Sequence, residues 1–312
     1  MLRSSQILPR IILTTAALVV GIVLCGCDGG RAAAMQEVSD GVSLASRGEI
    51  SMALRRFDAA VDLDPTNGYA HYYSGLLRLQ ELRSPGQAVG SLETASRLLP
   101  GESEVWYQLG SALSGAGRIQ EGAAAFMRAV EVDSGHGRAL HRLGDVAESE
   151  DRIRDAIDLY TRAIYADPDF PYSYAALAKV YATWDWPREA LAVLNNGVQN
   201  GALADTRYAS GHAALRAALG QLYLDAGEID LAIQYFVEAV QVGPASDSHA
   251  FNLGLAYRAR FERTGSSLDR ERALEQLTRA RTQCNTSNDA ARCTSIAAAL
   301  RDLRAGDGSD DR

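Results

Sequence analysis

A chain of 312 residues with 39 acidic against 31 basic side chains carries a formal net charge of −8. That balance argues against a nucleic-acid binder, which shows a basic footprint. The length is that of one large domain or two, unless the chain is repetitive, because stacked repeats need no single central core.

The first element along the chain belongs to processing rather than to folding. Arg3 and Arg10 precede an apolar run from Ile11 to Leu24, followed by Cys25-Gly26-Cys27-Asp28. A basic start, a short apolar stretch and a small residue before the cut describe a secretory signal peptide. The run is short for a membrane span, which takes about 20 residues. Leu24-Cys25-Gly26-Cys27 also resembles the bacterial lipobox. That resemblance implies a signal peptide over 1–26, lipidation of Cys27 and a lipidated tether over 27–33. An uncleaved anchor helix is the alternative, and either way the remainder is expected at the periplasmic or extracytoplasmic face of a membrane. Processing would remove Arg3 and Arg10 and no acid, leaving the net charge two units more negative.

From residue 34 onward one spaced pattern returns seven times: a small residue, an aromatic or Leu four positions on, and another small residue three further. The triplets are Ala53/Phe57/Ala60, Ala88/Leu92/Ala95, Gly122/Phe126/Ala129, Ala156/Tyr160/Ala163, Ala190/Leu194/Gly197, Ala232/Phe236/Ala239 and Ala273/Leu277/Ala280. Their leading residues are 35, 34, 34, 34, 42 and 41 apart. Upstream of each sits one more small residue, in order Gly41, Gly75, Gly110, Gly144, Ala178, Gly220 and Gly254, and Pro65, Pro100, Pro168 and Pro244 close four of the units. Spacings of four and three put a triplet on one helical face. Small residues at the crossing let two antiparallel helices approach, and the large one fills the gap between them. Pro cannot continue a helix, so it sets the turn into the next unit.

This pattern resembles the tetratricopeptide repeat family over residues 34–286. The resemblance implies an all-α solenoid of about seven helix-turn-helix repeats in a right-handed superhelix. The units are 34–67, 68–102, 103–136, 137–170, 171–204, 213–246 and 247–286. Pro85-Gly86 marks the turn that carries the extra residue of the second unit. Asp205–His212 reads as a polar insertion loop. The last unit holds seven extra residues between its upstream glycine and its triplet, enough for one more turn on each of its helices. Gly265 would end the first of them, and Ser266 with Asp269 would open the second. A capping helix over 287–304 would cover the open end of the stack, and 305–312 reads as a disordered tail. Cys284 and Cys293 flank a polar stretch and lack the further ligands of a metal site. A structural disulfide is the favoured reading, with two free buried thiols as the alternative.

No catalytic constellation is found. The five histidines make no His-Glu-x-x-His pair, Gly115-Ala116-Gly117 falls at the turn inside the third unit, and no Gly-x-Ser-x-Gly elbow occurs. The chain is expected to be no enzyme and to need no cofactor or metal. In the family, the first helices line a concave groove for peptides or helices of other proteins. By that resemblance the groove would take Tyr72, Tyr73 and Leu76 from the second unit, with Tyr107, Gln108 and Ser111 from the third. His141, Arg142, Asp145 and Glu148 follow from the fourth, then Lys179, Gln221, Asn252 and Arg258. The tyrosines serve either as partner anchors or as packing between adjacent first helices. Trp184 and Trp186 fall in the turn of the fifth unit, where they cap a helix pair or form a contact site. The function expected is a membrane-anchored interaction scaffold of the bacterial envelope, for pilus, secretion or envelope assembly. A glycan- or polymer-binding accessory is the rival reading.

Overall fold

The structure, a computed structural model, describes residues 29–200, 208–243, 246–284 and 290–305. Among these residues there are fifteen helices and no strand. The chain divides between Glu150 and Asp151 into two compact units. The first holds α1 (Gly29–Ser46), α2 (Ile50–Leu63), α3 (Gly68–Gln80), α4 (Pro85–Leu98), α5 (Ser103–Gly115), α6 (Ile119–Val132) and α7 (Gly137–Ser149). The second holds α8 (Ile153–Ala166), α9 (Pro171–Thr183), α10 (Pro187–Asn200), α11 (Ala209–Asp225), α12 (Ile229–Val242), α13 (Asp247–Thr264), α14 (Ser267–Cys284) and α15 (Ala290–Ala305). The signal segment, Cys27 and the tail from 306 on lie outside the described residues.

Every residue of the seven triplets is buried; within a unit, the repeated face is the one a second helix turns to the first helix of its repeat. The upstream glycines explain how closely the two approach. A Cβ on Gly41 would lie 2.5 Å from Phe57 Cε1, and one on Gly110 would lie 2.6 Å from Phe126 Cδ1. One on Gly75 would lie 2.6 Å from Leu92 Cγ, and one on Gly254 would lie 2.7 Å from Leu277 Cγ. Overlap of that depth forces the ring or the helix to move.

The turns inside the repeats share a device. A residue with positive φ follows the first helix in each: Gly48, Arg83, Gly117, Asp151, Asp185, Gly227 and Gly265. Glycine takes that conformation without a Cβ penalty, and Asp tolerates it. Arg83 has neither advantage. Proline serves the turns of the chain in two ways. Pro85, Pro171 and Pro187 open α4, α9 and α10, where their fixed φ suits the first helical position. Pro65, Pro100 and Pro168 instead end units, and each carbonyl accepts a hydrogen bond from a ring six residues on. The donors are His71 Nε2 at 3.1 Å, Trp106 Nε1 at 3.0 Å and the Tyr174 hydroxyl at 3.1 Å.

Two boundaries differ from the sequence reading. α1 begins at Gly29, so part of the expected tether is helical. α11 begins at Ala209, inside the expected insertion loop; a Cβ on its Gly211 would meet Pro171 and Tyr172, so the small residue lets the extended helix pack there. In the last repeat α13 and α14 both run 18 residues, and Gly265 caps α13 in the left-handed conformation. α15 buries Ile296, Ala299, Leu300 and Leu303 in the cluster that holds Leu253, Tyr257 and Leu277. The sulfurs of Cys284 and Cys293 are bonded, with Cα atoms 5.7 Å apart.

Candidate interaction surface

In the first unit the first helices α3, α5 and α7 carry the expected groove residues, and packing divides them into two kinds. Tyr72 and Tyr73 are only 4% and 2% exposed, and Leu76 is buried with them. The Tyr73 ring stacks on Phe57 at 5.6 Å and on Tyr69 at 6.5 Å. Burial pushes its phenol up to about 12 and drives that of Tyr72 well above the ordinary tyrosine value. Both rings are therefore used in packing, and neither offers a partner the area an anchor needs. Tyr69, one turn earlier on α3, is the exposed ring of this helix.

Between α5 and α7 lies a polar network whose centre the sequence reading missed. Glu104 accepts from Gln108 Nε2 at 2.7 Å and from Arg138 Nη2 at 2.7 Å. His136 Nδ1 accepts from the Ala139 backbone N–H, so its proton sits on Nε2, which lies 3.3 Å from the same carboxylate. Burial would raise the Glu104 carboxyl, but the His136 hydrogen bond and the Arg138 charge outweigh it and hold the group below the usual carboxylate range. The Tyr107 ring lies 5.1 Å from His136, with the Arg138 guanidinium 4.8 Å above it. One turn on, Arg142 pairs with Asp145 at 3.2 Å. His141 is buried, and burial lowers its basicity despite Asp145 nearby. Ser111 donates to the Tyr107 carbonyl. Glu104 and Arg138 were legible: they sit one repeat apart, three residues before Tyr107 and His141, in the register that also gives Tyr69 and Tyr172.

The second unit carries the remaining expected residues on three helices. Lys179 lies on α9. Gln221 on α11 donates to Asp225 at 2.8 Å. On α13 Asn252 is half-buried, and Arg258 pairs with Glu262 at 3.1 Å and approaches Asp302 of α15 at 4.0 Å. Arg258 is thus drawn toward the end helix. Trp184 and Trp186 stand in the α9–α10 turn, 51% and 47% exposed. Three aromatic rings, Phe170, Tyr172 and Tyr208, cluster where α9 and α11 begin, with centroid separations of 5.1 to 6.5 Å.

A tetratricopeptide repeat family model matches residues 107–171 and 217–283. A solved tetratricopeptide repeat protein from Parabacteroides merdae superposes with a TM-score of 0.60 at 12% identity, over 87% of this chain and 99% of its own. PilF of Pseudomonas aeruginosa gives 0.57 at 17% identity, over 76% and 100%. PilW, a type IV pilus biogenesis factor, gives 0.55 at 17%, over 67% and 92%. At these identities the likeness is one of fold. No curated protein matches the chain.

Proposed function

Because the chain is built of tetratricopeptide repeats, repeats that mediate protein–protein contact and are generally non-enzymatic, we propose that it is a membrane-anchored adaptor of the bacterial cell envelope. The observation that carries the binding reading is the α5–α7 network. Glu104, Arg138, Arg142 and Asp145 are held by one another and by Tyr107, His136 and Gln108, yet stay partly open to solvent. Polar groups fixed before a partner arrives lose little freedom on binding. A helix or extended segment with charges of both signs is the ligand this strip suits. The pilus context of PilW supports an assembly role as the setting, and the Gly26-Cys27 junction after a short apolar run supports a lipid anchor.

Two experiments test the two halves. A photo-crosslinking residue placed at Glu148 on α7, in cells, is expected to trap a defined protein, and adding Arg142→Glu with Asp145→Lys is expected to abolish that adduct without shifting the thermal midpoint. Adducts unchanged by the charge reversal would sink the α5–α7 face. Cys27→Ser is expected to release the protein into the soluble fraction; a Ser variant that still sediments with membranes leaves the anchor-helix reading instead.

A further inference from the structure

His71 and His136 give their ring nitrogens partners. His71 Nε2 lies 3.1 Å from the Pro65 carbonyl oxygen, and His136 sets Nδ1 on the Ala139 N–H and Nε2 toward Glu104. His212 has no such support. It is only 4% exposed, yet among the described residues neither its Nδ1 nor its Nε2 has a hydrogen-bond partner. A neutral imidazole carries one donor and one acceptor, and here both are taken out of water with nothing in return.

The place of His212 in the fold gives that isolation a consequence. The first helices α3, α5, α7 and α9 each run 13 residues, whereas α11 runs 17. Gly75 is the eighth residue of α3 and Gly220 the twelfth of α11, so the four added residues, Ala209 to His212, form one more turn at the start of α11. Within that turn a Cβ on Gly211 would run into Pro171 and Tyr172, which seats α11 directly on the start of α9. The Phe170, Tyr172 and Tyr208 rings cluster at the same place.

A proton on His212 meets resistance there. Burial lowers the basicity of the ring most, and the Arg216 guanidinium, one turn along α11, lowers it further; Asp169 in the α8–α9 turn is the charge that opposes them. Arg216 donates to the His212 carbonyl at 3.2 Å and pairs with Glu238 of α12 at 3.4 Å, so that carboxylate answers Arg216 rather than the ring. The first turn of a helix is also its positive end, a poor position for a cation. His249 of α13 acts in the same sense. A Cβ on Gly243 would lie 2.5 Å from Ala213 Cβ and 3.6 Å from His249 Cε1. Its Nδ1 is buried without a partner among the described residues, and burial lowers its basicity although Asp247 opposes.

The geometry points to the contact of α11 with α9 as a proton-sensitive joint, in which the first turn of α11 stays seated only while His212 is neutral. A histidine whose folded-state basicity is lowered keeps its contribution to stability above its unfolded value of 6.5. Below that pH the opened state takes up a proton that the seated state refuses, so opening gains up to about tenfold for each pH unit. The fifth and sixth repeats then part at α9 and α11, and a ligand lying across both is shed in mild acid. This device is independent of the α5–α7 face and goes beyond the adaptor reading.

Two measurements on the full chain test it. The first follows the ring C–H signals of His212 by NMR from about pH 8 to about pH 5, with the His212→Phe spectrum as the assignment. They are expected to hold the neutral position well below pH 6.5, the ordinary histidine value; titration at or above that value overturns the proposal. The second measures hydrogen exchange in α11, corrected for the intrinsic rate. Protection is expected to fall up to about tenfold per pH unit below the ordinary histidine value. His212→Phe keeps a buried ring that takes no proton, and should flatten most of that fall. Protection that does not change with pH in the unaltered chain overturns the proposal, as does an equal fall in the His212→Phe protein. The NMR titration needs no variant in order to fold, so it decides the matter even where the phenylalanine is poorly tolerated.

Discussion

At Gly110 the whole repeat depends on a missing methyl group. Gly110→Ala puts a carbon against the Phe126 ring and is expected to cost about 1–3 kcal/mol, the range for overpacking a tight contact. Gly90, exposed on α4 with nothing within 4 Å of a built Cβ, is the control. There alanine should stabilise by about 0.5–1 kcal/mol through helix propensity alone. Urea denaturation of both variants decides it, and equal effects of the same sign would end the argument. Arg83 offers the opposite correction. Its φ of 50° has no Cβ-free residue to relieve it, so Arg83→Gly should raise stability by up to about 1 kcal/mol; a loss would mean that the side chain earns its place by contacts. The glycine positions were readable from spacing, because a period repeated seven times marks a packing contact. The fate of Tyr72 and Tyr73 was not. Spacing gives the face a side chain occupies, whereas burial depends on how near the neighbouring first helix comes.

Among the helices, α12, α13 and α14 meet at one guanidinium. Arg260 donates to both oxygens of buried Asp269, at 2.9 and 2.7 Å, and to Asp230 at 2.7 Å. Hydrogen bonding from Arg260 holds the Asp269 carboxyl below its ordinary value. A depressed acid stabilises the fold fully above the unfolded value, near 3.9, and that contribution is lost as pH falls through the folded one. The second unit should therefore weaken below about pH 4. Asp269→Asn should cost about 2–3 kcal/mol at pH 7 and flatten the acid limb of the stability profile; an unchanged acid limb would show that the pair does not matter. The sequence reading saw Asp269 as a helix-start residue beside Ser266. Its ion pair was hidden because Arg260 lies on another helix, reachable only once α13 has lengthened by a turn. Where α14 meets α15, the Cys284–Cys293 bond closes a short loop, and Cys293→Ser should cost about 2–3 kcal/mol. Hydrogen exchange should then show α15 losing protection before α13; simultaneous loss across the second unit would contradict a local role.

For the molecule as a whole, contacts between sequence neighbours imply that damage stays near its origin. Trp106 reports on the first unit, and Trp184 with Trp186 on the second. In a Trp184→Phe, Trp186→Phe background, Gly110→Ala should lower the transition seen by Trp106. With Trp106→Phe instead, the same lesion should leave the transition seen by Trp184 and Trp186 nearly in place. A common shift at all three would mean that the chain unfolds as one body. The crossing of each first and second helix has a further consequence, for how such a chain can be copied. Phe57, Phe126 and Phe236 all face glycine, while Leu194 shares its cluster with Ala178. Glycine also faces Leu92 and Leu277, so Ala178 is the one upstream residue of the seven larger than glycine, and it stands with a leucine rather than a ring. A duplication that breaks at a proline joint carries a matched pair to its new place. One that breaks at the turn inside the fifth repeat, where Asp185 stands, sets Ala178 against the phenylalanine of another repeat and leaves a clash of one methyl group. Inheritance by whole repeats is thus favoured at the level of a single methyl group.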